Sequence, residues 1–98
     1  MIQIRNWKTY TVIFEGDYQS IKDAVEAAVK QRVSLAWADL AGADLTDADL
    51  EDANLENANL EDANLYKAKL AWADLTGAIL AWADLTDCLL YTSDAADE

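Results

Sequence analysis

The sequence predicts a mainly β repeat solenoid preceded by a small strand–strand–helix segment. Three observations carry that expectation. Leucine occurs at every fifth position from Leu35 to Leu90. Around it the unit Ala-(Asp/Asn)-Leu-x-x recurs, as in Ala38-Asp39-Leu40, Ala53-Asn54-Leu55 and Ala83-Asp84-Leu85. Neither a helix of period 3.6 nor a strand of period 2 keeps residues five apart on one face. A strict period of five therefore requires a backbone that turns the same corner every five residues. Ahead of the repeat, in residues 1–32, the apolar spacing is first that of strands and then that of a helix.

Ile2-Gln3-Ile4-Arg5 alternates apolar and polar, and Tyr10-Thr11-Val12-Ile13-Phe14 is rich in β-branched and aromatic residues. Both read as strands, the second bounded by Glu15-Gly16-Asp17. Ser20 begins a helix, with Asp23 three residues on as a weaker form of the capping box. Ile21, Ala24, Val25, Ala28 and Val29 give that helix one narrow apolar stripe. This ββα segment is small for an independent domain. A solenoid needs its open end covered, because the first coil otherwise shows strand edge and core to water. Residues 1–32 are therefore expected to be a cap, with a separate ligand-binding role as the rival.

The formal charge of the 98 residues is -12, unevenly spread. Residues 1–32 carry five bases and four acids, whereas residues 33–87 carry two lysines and twelve acids, net -10. That balance argues against nucleic acid or an anionic membrane as a direct partner. No apolar run approaches the ~20 residues of a membrane span, and the N-terminus lacks a signal-peptide pattern, so a cytoplasmic address is expected. One cysteine excludes an internal disulfide framework. Histidine is absent.

The run Ala-(Asp/Asn)-Leu-x-x resembles the pentapeptide-repeat proteins over about 55 of the 98 residues, and ten consecutive Ala-x-Leu units make the signal specific. The resemblance implies a right-handed quadrilateral β-helix, in which one pentapeptide makes one side and four make a coil of about twenty residues. It also implies that the central leucine and the alanine two before it point inward. The expected core is thus Leu35, Leu40, Leu45, Leu50, Leu55, Leu60, Leu65, Leu70, Leu75, Leu80 and Leu85, with Ala38, Ala43, Ala48, Ala53, Ala58, Ala63, Ala68, Ala73, Ala78 and Ala83. Val33 and Cys88 depart from alanine at the two ends. The strand–strand–helix prelude, with Val12-Ile13-Phe14-Glu15-Gly16 and then Ala27-Ala28-Val29-Lys30, also looks like one found ahead of such arrays. The eleven units of residues 33–87, at four to a coil, make 2.75 coils, only about 13 Å at the ~4.8 Å strand spacing.

A twenty-residue coil stacks residues twenty apart, where opposite charges attract and like charges repel. Lys67 falls twenty after Asp47 and twenty before Asp87, and Lys69 falls twenty after Asp49. No acid of residues 33–87 meets another acid within that stretch: Asp39 meets Asn59, Asp44 meets Asn64, Asp52 meets Trp72 and Asp62 meets Trp82. Each exposed pair is worth under ~1 kcal/mol.

Residues 88–98 break the pattern after Leu90 and resemble the translation of a transposase adaptor used in sequencing libraries. That resemblance implies a non-native tail on a truncated fragment, and makes Cys88 and Leu90 accidental. The other reading is a natural acidic, disordered tail.

No arrangement supports an enzyme. The commonest general base is missing with histidine, and Cys88 has no partner to activate a thiol. Asp39, Asp44, Asp49, Asp74 and Asp84 recur by repetition rather than converge, and read as a solvated face. A calcium site needs converging oxygens, and Gly16, Gly42 and Gly77 form no phosphate-cradling loop. Neither cofactor nor metal is expected. Leu-Ala-Trp-Ala-Asp-Leu occurs three times, placing Trp37, Trp72 and Trp82 at an outward corner. Trp37 is expected to pack on the cap. Trp72 and Trp82, with Ala71, Ile79 and Ala81, are expected to put apolar surface near the array's end, either as an interface or as a surface under further coils. The expected function is a non-enzymatic solenoid that binds another protein or serves as a rigid spacer. The resemblance implies an alternative, an acidic and dimeric mimic of duplex DNA that binds DNA gyrase and protects it from quinolones. Its charge density fits, at ~0.8 per Å against ~0.6 for duplex DNA. Its length does not, and Lys67 and Lys69 interrupt the acids. A homodimer of the full-length protein is compatible with that alternative.

Overall fold

In the computed structural model, which describes residues 1–88, the chain folds as β1 (Ile2–Arg5), β2 (Val12–Gly16) and α1 (Ile21–Lys30), followed by a β-helix-type solenoid. β1 and β2 pair antiparallel, with Ile4 opposite Phe14 and an irregularity between Ile4 and Arg5. β2 begins and ends two residues later than its expected range, Tyr10–Phe14. Tyr10 instead closes the hairpin at φ 67°, its amide donating to Asn6 O at 2.7 Å. Glu15 and Gly16 then continue the strand because Gln3 and Ile2 lie opposite them, and Gln3 Nε2 donates to Glu15 Oε1 at 2.9 Å.

α1 starts as its sequence requires. Ser20 is extended, and its hydroxyl accepts the Asp23 amide at 3.1 Å, satisfying one of the donors a helix leaves open. Ala24, Val25 and Ala28 are fully buried and share one hydrophobic cluster with Ile4 and the leucines of the repeat. Ile21 and Val29 pack on its margin.

From residue 33 on, isolated parallel bridges join residues twenty apart: Asp39 to Asn59, Asp44 to Asn64, Asp49 to Lys69, Asn54 to Asp74, Asn59 to Ile79 and Asn64 to Asp84. A corner recurs every five residues, so each coil has four. One unit shows how the backbone is satisfied. Ala58 N donates to Leu55 O (3.0 Å) and closes the turn, Asn59 N donates one coil back to Ala38 O (2.8 Å), and Leu60 N donates one coil on to Ile79 O (2.8 Å). Glu61 N donates to the side chain of Asn59 at Oδ1 (3.0 Å), and Asp62 N donates to Ala81 O (3.0 Å). All five amides are bonded, as a chain with so little conventional secondary structure requires.

The turns are type II, since φ is positive only at the second residue after each leucine. From Trp37 to Asp87 every such position lies between 59° and 71°. Gly42, Gly77, Asn57 and the aspartates suit that conformation; Trp37, Lys67, Trp72 and Trp82 do not.

Leu35 through Leu70 are buried, as are Ala38, Ala48, Ala53, Ala58, Ala63 and Ala68. The expected uniform core needs correction at its ends. Ala73, Leu75, Ala78, Leu80, Ala83 and Leu85 are half-buried, because no described coil stacks beyond them. Ala43 is half-buried as well. The N-terminal segment occupies the place of a preceding coil. Asn6 bridges Ala38 antiparallel, Asp39 N donates to Arg5 O (2.7 Å) and Trp7 N to Trp37 O (2.9 Å). Of the tail, only Cys88 falls among the described residues; the expectations for 89–98 lie outside them.

Candidate functional site

Stacking at twenty residues groups the corners into four columns. They are Trp37-Asn57-Gly77, Gly42-Asp62-Trp82, Asp47-Lys67-Asp87 and Asp52-Trp72; Arg32, twenty residues before Asp52, lies just past α1 instead, its amide donating to Val29 O at 3.0 Å. Backbone bonds fix each neighbour: Trp37 N to Glu56 O (2.8 Å), Gly42 N to Glu61 O (2.8 Å), Asp47 N to Tyr66 O (2.8 Å) and Asp52 N to Ala71 O (3.0 Å). The corners are where this fold presents side chains outward in fixed register.

Trp37 packs on the N-terminal segment. Its ring centroid is 5.5 Å from that of Trp7, and Lys8 Nζ lies 5.1 Å from the Trp37 ring centre. The Trp7 indole Nε1–H reaches one coil further and donates to Asn57 O at 2.7 Å. Trp72 is 59% exposed, Trp82 85% and Ile79 37%. The fold does not gather these three into the single patch that their sequence proximity suggests. Trp72 and Trp82 lie two corners apart, on diagonally opposite edges of the coil, and only Ile79 shares a side with Trp82.

Lys69 and Asp49 are bridge partners, as their spacing requires. Lys67 follows Asp47 in its column, with Nζ 5.4 Å from the Tyr66 ring centre.

The residue before each leucine does more than face water. Asp39, Asp44, Asp49, Asn54, Asn59, Asn64, Asp74 and Asp84 each accept, through Oδ1, the amide two residues on, at 2.9–3.2 Å. This Asx bond fastens the entry to every turn. Lys69 and Ile79 cannot make it. The recurrent Asp/Asn was the available signal, because both residues share a side-chain carbonyl-type oxygen at the same reach. At Asp44 the Thr46 hydroxyl also donates at 2.7 Å, and the hydroxyl first and the amide second hold that carboxyl below its ordinary range. Thr76 and Thr86 do the same for Asp74 and Asp84.

A groove of about 520 Å³ runs between α1 and the first coils, where Glu26, Lys30 and Arg32 face Asp49, Glu51 and Asp52. Its charges are mixed, and Glu26 Oε2 is engaged by the Asp49 amide at 2.8 Å. The Cys88 thiol donates to Leu65 O at 2.8 Å, and burial pushes its pKa up, which disfavours the thiolate. Among the described residues no group of histidine, cysteine or acid side chains is placed to hold a metal, and no helix is long and apolar enough to cross a membrane.

Comparison with known proteins points to the same repeat. The family model for pentapeptide repeats matches in eight copies, over residues 34–70 and 53–90. The crystal structure of a pentapeptide repeat protein (Rfr23) from the cyanobacterium Cyanothece 51142 is similar at 44% identity and a TM-score of 0.58. That match covers 63% of this chain and 41% of the other, so the chain spans less than half of the protein it resembles. No curated protein matches.

Proposed function

The chain belongs to the pentapeptide-repeat family, and from that premise we propose that it is a non-enzymatic interaction module. In this reading residues 1–32 cap the array and residues 33–87 form a right-handed β-helix of 2.75 coils, eleven units at four to a coil. One observation carries the reading. Backbone amides are bonded on sides and corners alike, and the corners hold large side chains where turn geometry favours glycine. Trp72 and Trp82 stand in left-handed backbone at φ 64° and 63° with most of their surface in water. Left-handed backbone disfavours such residues by roughly 1–2 kcal/mol each. Trp82, 85% exposed, regains little of that cost by burial. Unfavourable local choices of this kind concentrate at functional sites, and exposed tryptophan is the residue richest in binding energy at interfaces.

The acids add a direction to the surface. With twelve acids against two lysines in residues 33–87, the array attracts basic partners and repels phosphate backbones. Partner capture with the tagged chain tests the module. A protein retained from lysate must be displaced by untagged chain at micromolar concentration, and must be lost when Trp72 and Trp82 are both replaced by alanine. Retention that neither competition nor the double substitution alters would overturn the reading.

A further inference from the structure

The four corner columns differ in one respect, namely whether the chain supplies its own cation. At the first, Lys8 Nζ lies over the Trp37 ring. The third contains Lys67 between Asp47 and Asp87, and beside the fourth Arg32, just past α1, lines the same groove as Asp52. The second column, Gly42-Asp62-Trp82, repeats the acid and tryptophan of the fourth but begins with glycine. The residues preceding them in the turns, Ala41, Glu61 and Ala81, add a second carboxylate and no cation.

This corner is open. Trp82 is 85% exposed, and a Cβ placed on Gly42 would meet nothing within 4 Å. Gly42 N bonds Glu61 O at 2.8 Å and Asp62 N bonds Ala81 O at 3.0 Å. The vacant turn, the carboxylate and the indole therefore succeed one another at the strand spacing of about 4.8 Å. A cation at this edge would have the Asp62 carboxylate and the Trp82 indole, one coil apart, as its neighbours. Arginine suits that pairing better than lysine, because its planar guanidinium stacks on an aromatic ring while offering forked donors to a carboxylate.

We propose that the Gly42-Asp62-Trp82 corner is a binding site for an arginine side chain of a partner protein. The inference rests on the interaction-module reading and gives that module its partner chemistry. The Lys8–Trp37 contact shows that a corner tryptophan of this coil accepts a cation on its ring.

The probe is a blocked peptide of alternating arginine and glycine, titrated calorimetrically into the full chain at physiological ionic strength. Its citrulline counterpart, equal in shape and uncharged, serves as control. The expected result is saturable binding of the arginine peptide alone. Trp82→Ala and Asp62→Asn should each weaken it about threefold or more, while Asp47→Asn, which removes the same charge at the corner column that holds Lys67, should leave it unchanged. Both altered side chains are exposed, and unchanged circular dichroism confirms folding. Equal binding by Trp82→Ala and the parent chain would overturn the site, as would an equal loss in Asp47→Asn, the mark of diffuse electrostatic attraction. Absence of peptide binding alongside competitive capture of a partner sinks the arginine site and leaves the module standing. If both fail, the module falls too.

Discussion

The amide of Asp49 donates to the carboxylate of Glu26 at 2.8 Å, across 23 residues of chain. One coil later the equivalent amide, that of Lys69, donates to Ala48 O at 2.9 Å. A helix side chain therefore stands where a coil backbone would otherwise be, just as Arg5 O does for the amide of Asp39. The N-terminal segment imitates the absent coil bond by bond at these two sides.

Removing that imitation has a defined cost. Glu26→Ala should destabilise the chain by about 1 kcal/mol, the usual net worth of one hydrogen bond, with faster hydrogen exchange at the Asp49 amide. Glu26→Gln keeps an acceptor oxygen and should lose less than half as much. Chemical denaturation with amide exchange measures both. Equal effects of the two substitutions would show that packing of the glutamate stem, rather than its oxygen, matters.

Burial grades the leucines in a way that mutation will read. Leu55 is wholly enclosed, whereas Leu80 is half-buried in the last described coil. Leu55→Ala should cost roughly 3–5 kcal/mol through lost transfer energy and a cavity that the coils above and below cannot close. Leu80→Ala should cost less than half of that, because water already reaches the site. Denaturation midpoints of the two variants, at constant slope, settle the ranking.

Much of this architecture was legible because the repeat is strict. Leu35 to Leu85 and the alanines beside them occupy equivalent interior positions, so sequence period and structural period coincide. The twenty-residue register was also readable, since Lys69 matches Asp49 at that spacing. What escaped had three physical causes. Asp39 and its equivalents look merely solvated, because a carboxylate that caps its own turn is as exposed as one that does nothing. The left-handed corners were masked by Trp37, Lys67, Trp72 and Trp82, which sit where intrinsic preference would place glycine or asparagine. Glu26 was invisible for a different reason: its partner depends on how α1 docks, which no local pattern encodes.

Acid should act on the turns selectively. Asp44, Asp74 and Asp84 have folded pKa values below the ordinary carboxylate value because threonine hydroxyls and amides bond the charged form. Depressed folded values mean the unfolded chain binds more protons in this window, so stability rises with pH there. Their contribution is fully present above the unfolded carboxylate pKa, near 3.9, and fades as pH falls through the folded values. Thr76→Val removes the hydroxyl but not the amide, and should raise the Asp74 pKa while leaving Asp84 unmoved. Carboxyl-carbon NMR titration reads each aspartate separately; a shift at neither, or at both, would contradict the assignment of cause.

Trp82 sets stability against binding. Its φ of 63° lies in the region where a bulky side chain crowds the following carbonyl, and 85% of its surface is in water, so little burial is lost on replacing it. Asparagine tolerates that backbone. Trp82→Asn should therefore stabilise the chain by up to about 1 kcal/mol, raising the denaturation midpoint, while it weakens the arginine peptide at the same corner. Asp62→Asn is the complementary case: both residues suit φ 62°, so stability should stay within about 0.5 kcal/mol while binding falls. A Trp82→Asn chain that is less stable than the parent would mean that the indole packs where the structure shows it exposed. A more stable chain that binds less well would show that this corner sacrifices stability for recognition, the trade expected where a residue is retained for its surface rather than its fold.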